Sequence, residues 1–220
     1  MRICLAYHYV FNLTVETGES ELAFDRFWRT YHEHDPGYPH TLILNPHNSP
    51  GRDIAAHQAI APYLNCDFAV FMCARVFFWK PDWLARLVDS WVKHGPGLYG
   101  VMTSNEACPL TPDKKPNPHL RTCLFACWPG SLMVLRNKVE STNDGFLFES
   151  GEGSITNMMD QRTFFVDWDN SYSRAHWGKT TNGFRSGDQS NLLVKDRHSH
   201  AYDIANPEQK AMLERIANGE

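Results

Sequence analysis

The stretch Asn65–Trp91 constrains the fold most, because it joins an uninterrupted apolar run to an amphipathic helix. Phe68–Met72 is apolar at every position, as expected for a strand buried on both faces of a parallel sheet. Apolar residues then recur on one helical face at Leu84, Leu87, Val88 and Trp91. Pro81 is expected at the first position of this helix. Ligands of open α/β sheets bind beyond the carboxyl ends of strands, so Cys73–Lys80 is the first place to expect chemistry.

Hydrophobic patterns in the rest of the first half predict alternating strands and helices. This β-α-β-α-β order is typical of an α/β fold with one doubly wound, mostly parallel, Rossmann-like sheet. The predicted strands are Arg2–Phe11, Thr41–Asn45, Asp67–Met72 and Leu98–Thr103, and the helices before Pro81 are Ser20–His34 and Arg52–Leu64.

The second half is less regular. Predicted strands lie at Leu120–Cys127 and Thr163–Trp168, and a short helix is predicted at Ser131–Val139. Ser154 is expected to cap one further helix, and Asn206 begins the last one, which Gly219 ends. Asp169–Ser186 is polar and aromatic without a period, which favours an ordered lid. We expect a single domain over residues 1–220, with halves at 1–103 and 104–220.

Composition excludes several classes of protein. The 220 residues carry a formal net charge of −4 and no basic stripe, which argues against general nucleic-acid binding. No apolar run reaches the roughly 20 residues that span a bilayer, and the first residues lack the pattern of a signal peptide. We therefore expect a cytoplasmic protein without a transmembrane segment. The six cysteines form no Cys-x-x-Cys pair, which favours reduced thiols.

Residues Gly51–Val88 resemble the donor half of a family-2-like nucleotide-sugar glycosyltransferase of the glycosyltransferase-A fold. In that family an Arg-Asp or Arg-Asn pair opens a helix, a strand ends in an Asp-x-Asp that holds a divalent metal, and a proline starts the next helix. Gly51-Arg52-Asp53, Asp67–Met72 and Pro81-Asp82-Trp83-Leu84 match these elements. The resemblance implies a nucleoside diphosphate sugar donor bound by residues 1–103 and a carbohydrate or small-molecule acceptor bound by residues 104–220.

The chain departs from the family at the metal position, where it has Cys73-Ala74-Arg75. Mg²⁺ and Mn²⁺ prefer oxygen ligands, so the usual ligand pair is absent and we assign no metal ligands, although a divalent metal elsewhere in the site stays open. The departing diphosphate still needs its negative charge stabilised. Arg75 can do this by a bidentate contact to phosphate. The alternatives are that Arg75 pairs with a structural acid or that the site is inactive.

Further donor-site candidates surround the loop before the second helix. Asn45 and Asp53 carry amide and carboxylate groups that read base and ribose edges, although Asp53 is equally suited to capping the helix. Arg52 is a candidate for contacting the donor or for a surface ion pair. Cys73 joins the donor-site candidates because it occupies the first position of the replaced metal motif.

Acceptor-site candidates come from weaker matches to the same family. The resemblance implies an acidic catalytic base in the central region, for which Glu149, Glu152 and Asp188 are the candidates. Each has a structural alternative: the two glutamates are also suited to capping the helix at Ser154, and Asp188 to capping a helix over Gln189–Lys195. The resemblance also makes acceptor-binding candidates of His119 and Arg121, and Trp177 offers a sugar-stacking platform or core packing.

Asp196, His198 and His200 are late candidates for holding a diphosphate or a metal. In an extended segment His198 and His200 would share one face, although a catalytic zinc site needs about three protein ligands. Ordinary surface or packed histidines are the alternative. Three hypotheses follow: a glycosyltransferase, a non-catalytic sugar-nucleotide or glycan-binding module of the same fold, and a zinc hydrolase that uses the late histidines.

Overall fold

The computed structural model describes residues 1–16, 20–47, 51–112, 115–134, 138–179, 185 and 187–217. It has the predicted α/β architecture, with a seven-stranded mixed sheet between helices. The strands are β1 (Ile3–His8), β2 (Thr41–Asn45), β3 (Phe68–Met72), β4 (Phe77–Phe78), β5 (Leu98–Gly100), β6 (Thr103–Ser104), β7 (His119–Leu120), β8 (Leu124–Cys127), β9 (Thr163–Val166), β10 (Ser171–Ser173) and β11 (Val194–Lys195). The α-helices are α1 (Ala23–Glu33), α2 (Arg52–Ile60), α3 (Trp83–His94), α4 (Pro129–Val134), α5 (Thr142–Ser150), α6 (Ile155–Met159), α7 (Arg197–Ile204) and α8 (Pro207–Ala217).

The main sheet has the strand order β10-β9-β5-β8-β3-β1-β2. β1 pairs in parallel with β2 and β3, and β5 pairs in parallel with β9, whereas β8 is antiparallel to both of its neighbours. Within the described residues, five strands of this sheet therefore run in one direction, and β8 and β10 run in the other. The carboxyl ends of β1, β2 and β3 consequently meet at one edge, which we call the carboxyl edge.

The continuous apolar run of β3 is buried on both faces, as its sequence predicts. Phe68, Val70 and Met72 pack in a core layer that includes residues of α1 and α3. Ala69 and Phe71 point into a second layer with residues of α2, α4, α5 and α6. Alternation along the strand explains why no polar residue is tolerated at any of these positions.

The predicted face of α3 is confirmed, but its start is not. Leu84, Leu87 and Val88 are buried. The helix begins at Trp83 rather than at Pro81, because Asp82 adopts a left-handed backbone with φ of +53°. The Asp82 amide donates instead to the carbonyl of Asp35, which ties the chain before α3 to the end of α1.

Several predicted boundaries after α3 are wrong. Leu98–Thr103 and Leu120–Cys127 are each divided between two short strands, and the helix predicted at Ser131–Val139 is α4, which begins at Pro129 and ends at Val134. The segment predicted as an ordered lid, Asp169–Ser186, contains β10 and a 3-10 helix at Arg174–Lys179, and its residues 180–184 and 186 lie outside the described residues. Helix α5 was not predicted at all, because its apolar residues have almost no helical periodicity.

The predicted N-cap residues of two helices, α6 and α8, are confirmed. The Ser154 hydroxyl accepts the backbone N–H of Asn157 at 3.3 Å, and the Asn206 side chain accepts that of Gln209 at 2.9 Å. The expected stop at Gly219 lies outside the described residues. All six cysteines are free thiols. Among the helices that the structure describes, none is long and apolar enough to cross a membrane.

Candidate functional site

The carboxyl edge collects the donor-site candidates. His8 ends β1, Asn45 ends β2, and Cys73 directly follows β3. Helix α2 begins beside these strand ends, where its second residue, Asp53, contacts His8 and the backbone N–H of Ala74. The topology therefore brings together residues from three separate parts of the sequence, as expected for a ligand site of an open α/β sheet.

Asp53 links the ends of β1 and β3. Its Oδ1 accepts hydrogen bonds from His8 Nδ1 and, at 3.3 Å, from the backbone N–H of Ala74. His8 Nε2 lies 2.8 Å from the carbonyl oxygen of His47, so both ring nitrogens face groups that only accept. Burial lowers the pKa of His8, but the hydrogen bond and charge of Asp53 outweigh it and raise this pKa. We infer an ion pair between imidazolium and carboxylate.

The helix-capping alternative for Asp53 is wrong, because α2 has no side-chain cap. The Oδ2 atom of Asp53 makes no hydrogen bond within the described residues, so one carboxylate oxygen can accept from a ligand. Asn45 is buried, and its Nδ2 donates to the Ala56 carbonyl at 2.8 Å, which holds α2 against β2. Arg52 is exposed, with a left-handed backbone at φ of +53°.

Cys73 lies at the centre of the carboxyl edge and is half-buried. Burial raises the pKa of its thiol well above the ordinary value, and the carboxylates of Asp53 and Asp196 raise it further. The sulfur is thus a neutral thiol at physiological pH, and the next polar side chain, Arg75, is a cation. These donors do not fit Mg²⁺ or Mn²⁺, which need oxygen ligands.

Arg75 is held by backbone rather than by a structural acid. Its Nε donates to the carbonyl oxygens of Thr14 and Val15, both at 3.1 Å. Within the described part of the chain, its two terminal nitrogens form no hydrogen bond or ion pair. The guanidinium is therefore oriented through one nitrogen and offers its two others to a ligand.

A second charged group adjoins this edge. The buried carboxylate of Glu149 pairs with Arg121 and accepts the backbone N–H of Thr122 at 2.8 Å and the hydroxyl of the same residue. Burial raises the pKa of Glu149, but the charge of Arg121 and these hydrogen bonds lower it overall. Both carboxylate oxygens are engaged, so Glu149 primarily positions Arg121.

Glu106 and Arg185 extend this group and were missed from the sequence. An Arg185 terminal nitrogen lies 3.5 Å from Glu106 Oε1. Burial raises the pKa of Glu106, an effect that Arg185 and Arg121 only partly offset. Nothing in the local sequence marks either residue, since both lie in irregular segments far apart in the chain.

The late histidines are not in an extended segment, contrary to our prediction. They lie in α7, where positions two apart point to different sides. Asp196 caps this helix, and its Oδ1 accepts the backbone N–H groups of His198 and Ser199 at 2.9 and 3.0 Å. Burial and the charges of three arginines lower the pKa of His198 to about 3. Within the described residues, no group of three or more His, Cys, Asp or Glu side chains is placed to hold a metal.

Asp196 acts electrostatically on residues of both groups. Its charge raises the pKa of Cys73 beside Arg75, and also that of Cys123, which burial raises most strongly. Cys123 is in turn influenced by Arg121 and Glu149, and its carbonyl accepts the Cys73 backbone N–H at 2.8 Å. The charges of Asp196, Arg121 and Glu149 therefore lie near the two thiols.

The other predicted residues are less suited to ligand contact. Trp177 is buried in the core and donates its indole N–H to the Tyr172 carbonyl at 3.1 Å, so it offers no stacking platform. His119 is fully buried with Nδ1 2.6 Å from the Asn117 carbonyl. Glu152 is exposed in the loop before α6. Asp188 is exposed and closes a turn through Ser190 at 2.8 Å; Gln189–Lys195 is not a helix.

No family model and no curated protein sequence matches this chain. Solved structures similar to it include HddC from Yersinia pseudotuberculosis complexed with GMP-PN, at 8% identity and a TM-score of 0.43, covering 97% of this chain and 98% of that one. The inositol-1-phosphate CTP transferase from T. maritima is 11% identical with a TM-score of 0.44, and the match covers 98% of this chain and 96% of that one. A putative glucose-1-phosphate thymidylyltransferase from Bacillus anthracis in complex with a sucrose is 10% identical with a TM-score of 0.39, and the match covers 88% of this chain and 77% of that one.

TM-scores below 0.5 at such identities establish neither a family nor an activity for this chain. None of the three names is that of a glycosyltransferase. The resemblance drawn from Gly51–Val88 therefore stays a hypothesis.

Proposed function

We propose that this chain binds a nucleoside diphosphate sugar at the carboxyl edge and transfers the sugar to an acceptor hydroxyl. The observation that carries the proposal is the orientation of Arg75, just after the central strand. Its Nε donates to two backbone carbonyls, and its two terminal nitrogens are available to a ligand. A guanidinium presented in this way matches two oxygens of a phosphate group.

Arg75 takes the part that a divalent cation plays in the family that the sequence resembles. When the bond between the anomeric carbon and the diphosphate breaks, negative charge grows on the departing phosphate oxygen. A preoriented cation next to that oxygen stabilises the transition state without reorganising. The neutral Cys73 thiol adds no negative charge beside the phosphate.

The nucleoside is proposed to lie over the start of α2. Asp53 is fixed there by His8 and by the Ala74 amide, which leaves its Oδ2 to accept from a ribose hydroxyl or a base amino group. Arg52 is exposed beside it and supplies a further cation for the donor. Asn45 contributes indirectly, because its amide holds α2 in position.

For the acceptor proton we propose Glu106 ahead of Glu149, Glu152 and Asp188. The acceptor oxygen attacks the anomeric carbon, its proton passes to a carboxylate, and the diphosphate leaves. Glu149 is fully engaged by Arg121 and Thr122, whereas a carboxylate whose pKa is raised by burial is a stronger base. In this proposal Arg121 and Arg185 orient an acceptor beside it.

A non-catalytic sugar-nucleotide or glycan-binding module of the same fold is the second candidate. It is favoured by one observation, the complete pairing of Glu149, the buried carboxylate of the central region. Binding and turnover must therefore be measured separately.

Binding is tested by the thermal shift of the purified protein with nucleoside diphosphates, their sugars and nucleoside triphosphates, each in EDTA and in Mn²⁺. A ligand that binds only the folded state raises the melting temperature. We expect a diphosphate sugar to do so equally in EDTA, and Arg75→Lys to reduce the shift. Arg2→Lys is the matched control, because Arg2 lies at the opposite end of β1.

Two results would contradict the proposal: a shift that needs Mn²⁺ and survives Arg75→Lys, or a response to triphosphates alone. For the catalytic step, donor hydrolysis is followed by release of the nucleoside diphosphate. Transfer predicts that Glu106→Gln slows this release while leaving the thermal shift unchanged. Equal hydrolysis by the variant, or none by the wild type in the presence of a bound donor, would favour the binding module.

A further inference from the structure

A cavity lies at the opposite edge of the sheet from the candidate site. Its volume is about 370 Å³. Its position follows from the topology, since its lining residues precede β3, β5 and β9 or follow the antiparallel β8. The lining residues are Asp67, Trp91, Pro96, Gly97, Trp128 and Ser131, together with Met159 and Arg162.

The lining combines two indoles with a few polar groups. Trp91 packs on Phe68 with ring centroids 4.8 Å apart, which fixes its ring, and Trp128 is 54% exposed. Asp67 contributes a carboxylate, Ser131 a hydroxyl and Arg162 an exposed guanidinium that makes no hydrogen bond within the described residues. A mostly apolar cavity of this size with a few polar groups is typical of a small-ligand site.

The ring of Trp128 packs against the backbone of Gly130. A Cβ atom built at Gly130 would collide with the six-membered ring of this indole, so one face of the ring lies directly on the backbone. Gly130 lies near the start of α4, where its φ is not left-handed, and any residue would satisfy the backbone. The absence of a side chain is therefore needed for the indole rather than for the helix.

We propose that this cavity binds a neutral sugar ring, at a site separate from the one at the carboxyl edge. A pyranose has apolar C–H faces that pack on indole rings and an equatorial belt of hydroxyls that need hydrogen-bonding partners. The Asp67 carboxylate already accepts the Arg2 backbone N–H at 2.8 Å, and ionised carboxylates have about four acceptor sites, so it can also accept from a hydroxyl. An apolar chain would give Asp67 and Arg162 no hydrogen bond.

The charges at the rim favour a neutral ligand over a nucleotide. The Arg2 N–H and charge hold the pKa of Asp67 below its ordinary value, so its carboxylate is ionised at neutral pH and repels phosphate. Arg162 is the other charged lining residue, so the lining itself carries one charge of each sign, and the Arg2 guanidinium beside the cavity lies 3.6 Å from Asp67. This contrasts with the arginine-rich carboxyl edge.

The test uses methyl glycosides of glucose, galactose, mannose and N-acetylglucosamine, observed by ligand-detected NMR and titrated by calorimetry. We expect one or more to bind saturably at one site. Trp128→Ala should weaken this binding at least tenfold, and Gly130→Ala severalfold, because the new methyl group displaces the indole. Ser131→Phe should also weaken it by filling the cavity.

The matched controls are Trp79→Ala, another half-exposed tryptophan, and Gly145→Ala, a helical glycine whose added Cβ meets nothing within 4 Å. Both should bind as the wild type does, and Arg75→Lys should as well if the two sites are separate. The proposal is overturned if none of the glycosides binds, if Trp128→Ala binds equally well, or if adenosine binds there in preference to the sugars.

Discussion

Because His57 is buried without a hydrogen-bond partner among the described residues, we predict that the free energy of unfolding falls measurably in mild acid. Its side chain is fully buried in α2, next to Phe71 and Phe125, with ring centroids 5.4 and 5.8 Å away. Within the described residues, neither ring nitrogen has a hydrogen-bond partner. Burial therefore lowers the pKa of His57 to about 3. The charge of Asp53 raises this pKa, but its effect is smaller than that of burial. The folded protein holds this imidazole neutral, whereas the unfolded chain protonates it with a pKa near the ordinary 6.5.

The sign and size follow from linkage. Between pH 6.5 and about 3 the unfolded state binds more protons at this residue, so stability falls as the pH is lowered through this window. Each unit of pH below 6.5 costs about 1.4 kcal/mol, which gives a loss of about 2 kcal/mol between pH 7 and pH 5. His8 acts in the opposite sense, because its raised pKa stabilises the folded protein at low pH.

The assay is urea unfolding at pH 7 and pH 5 for the wild type and for His57→Phe, whose ring suits the aromatic surroundings. The loss of stability between the two pH values should be about 2 kcal/mol smaller in the variant. Comparing differences cancels the contributions of other titrating groups. His32→Asn, at an exposed position, controls for the removal of a histidine. Equal losses in the wild type and in His57→Phe would refute the reasoning.

Two further predictions concern stability. Glu149→Gln leaves the buried Arg121 without its nearest charge and should lower the free energy of unfolding by about 3 kcal/mol at pH 7, whereas the exposed Glu152→Gln should change it by less than about 0.5 kcal/mol. Urea titration decides this, and similar values for both variants would mean that the pair is not stabilising. Ser154→Ala removes the cap of α6 and should cost about 1 kcal/mol, whereas Ser154→Gly, which fits the same buried position, should cost only about 0.3 kcal/mol. A glycine variant that is less stable than the alanine variant would argue against capping as the cause.

Residues 51–88 illustrate what a local pattern can establish. Continuous apolarity identified β3 as a doubly buried strand, and the one-sided pattern after Asp82 identified the packed face of α3. Cys73 and Arg75 follow β3 at the carboxyl edge, and the expectation that chemistry gathers there stays a prediction. The same pattern misplaced the start of α3, because a long-range hydrogen bond to Asp35 overrides the preference of proline for the first helical turn.

The sequence alone determined the class of fold, the central strand, the capped ends of α6 and α8, and the presence of Cys73 and Arg75 just after the central strand, because each depends on neighbours in the chain. Tertiary structure decided the rest. In the folded chain β8 runs antiparallel to both of its neighbours, and Trp177 is buried in the core. His198 lies in a helix, and Glu106 forms an ion pair with Arg185. Such contacts join residues far apart in the chain, and burial, which sets both their strength and their pKa values, is a property of the packed molecule that local pattern does not encode.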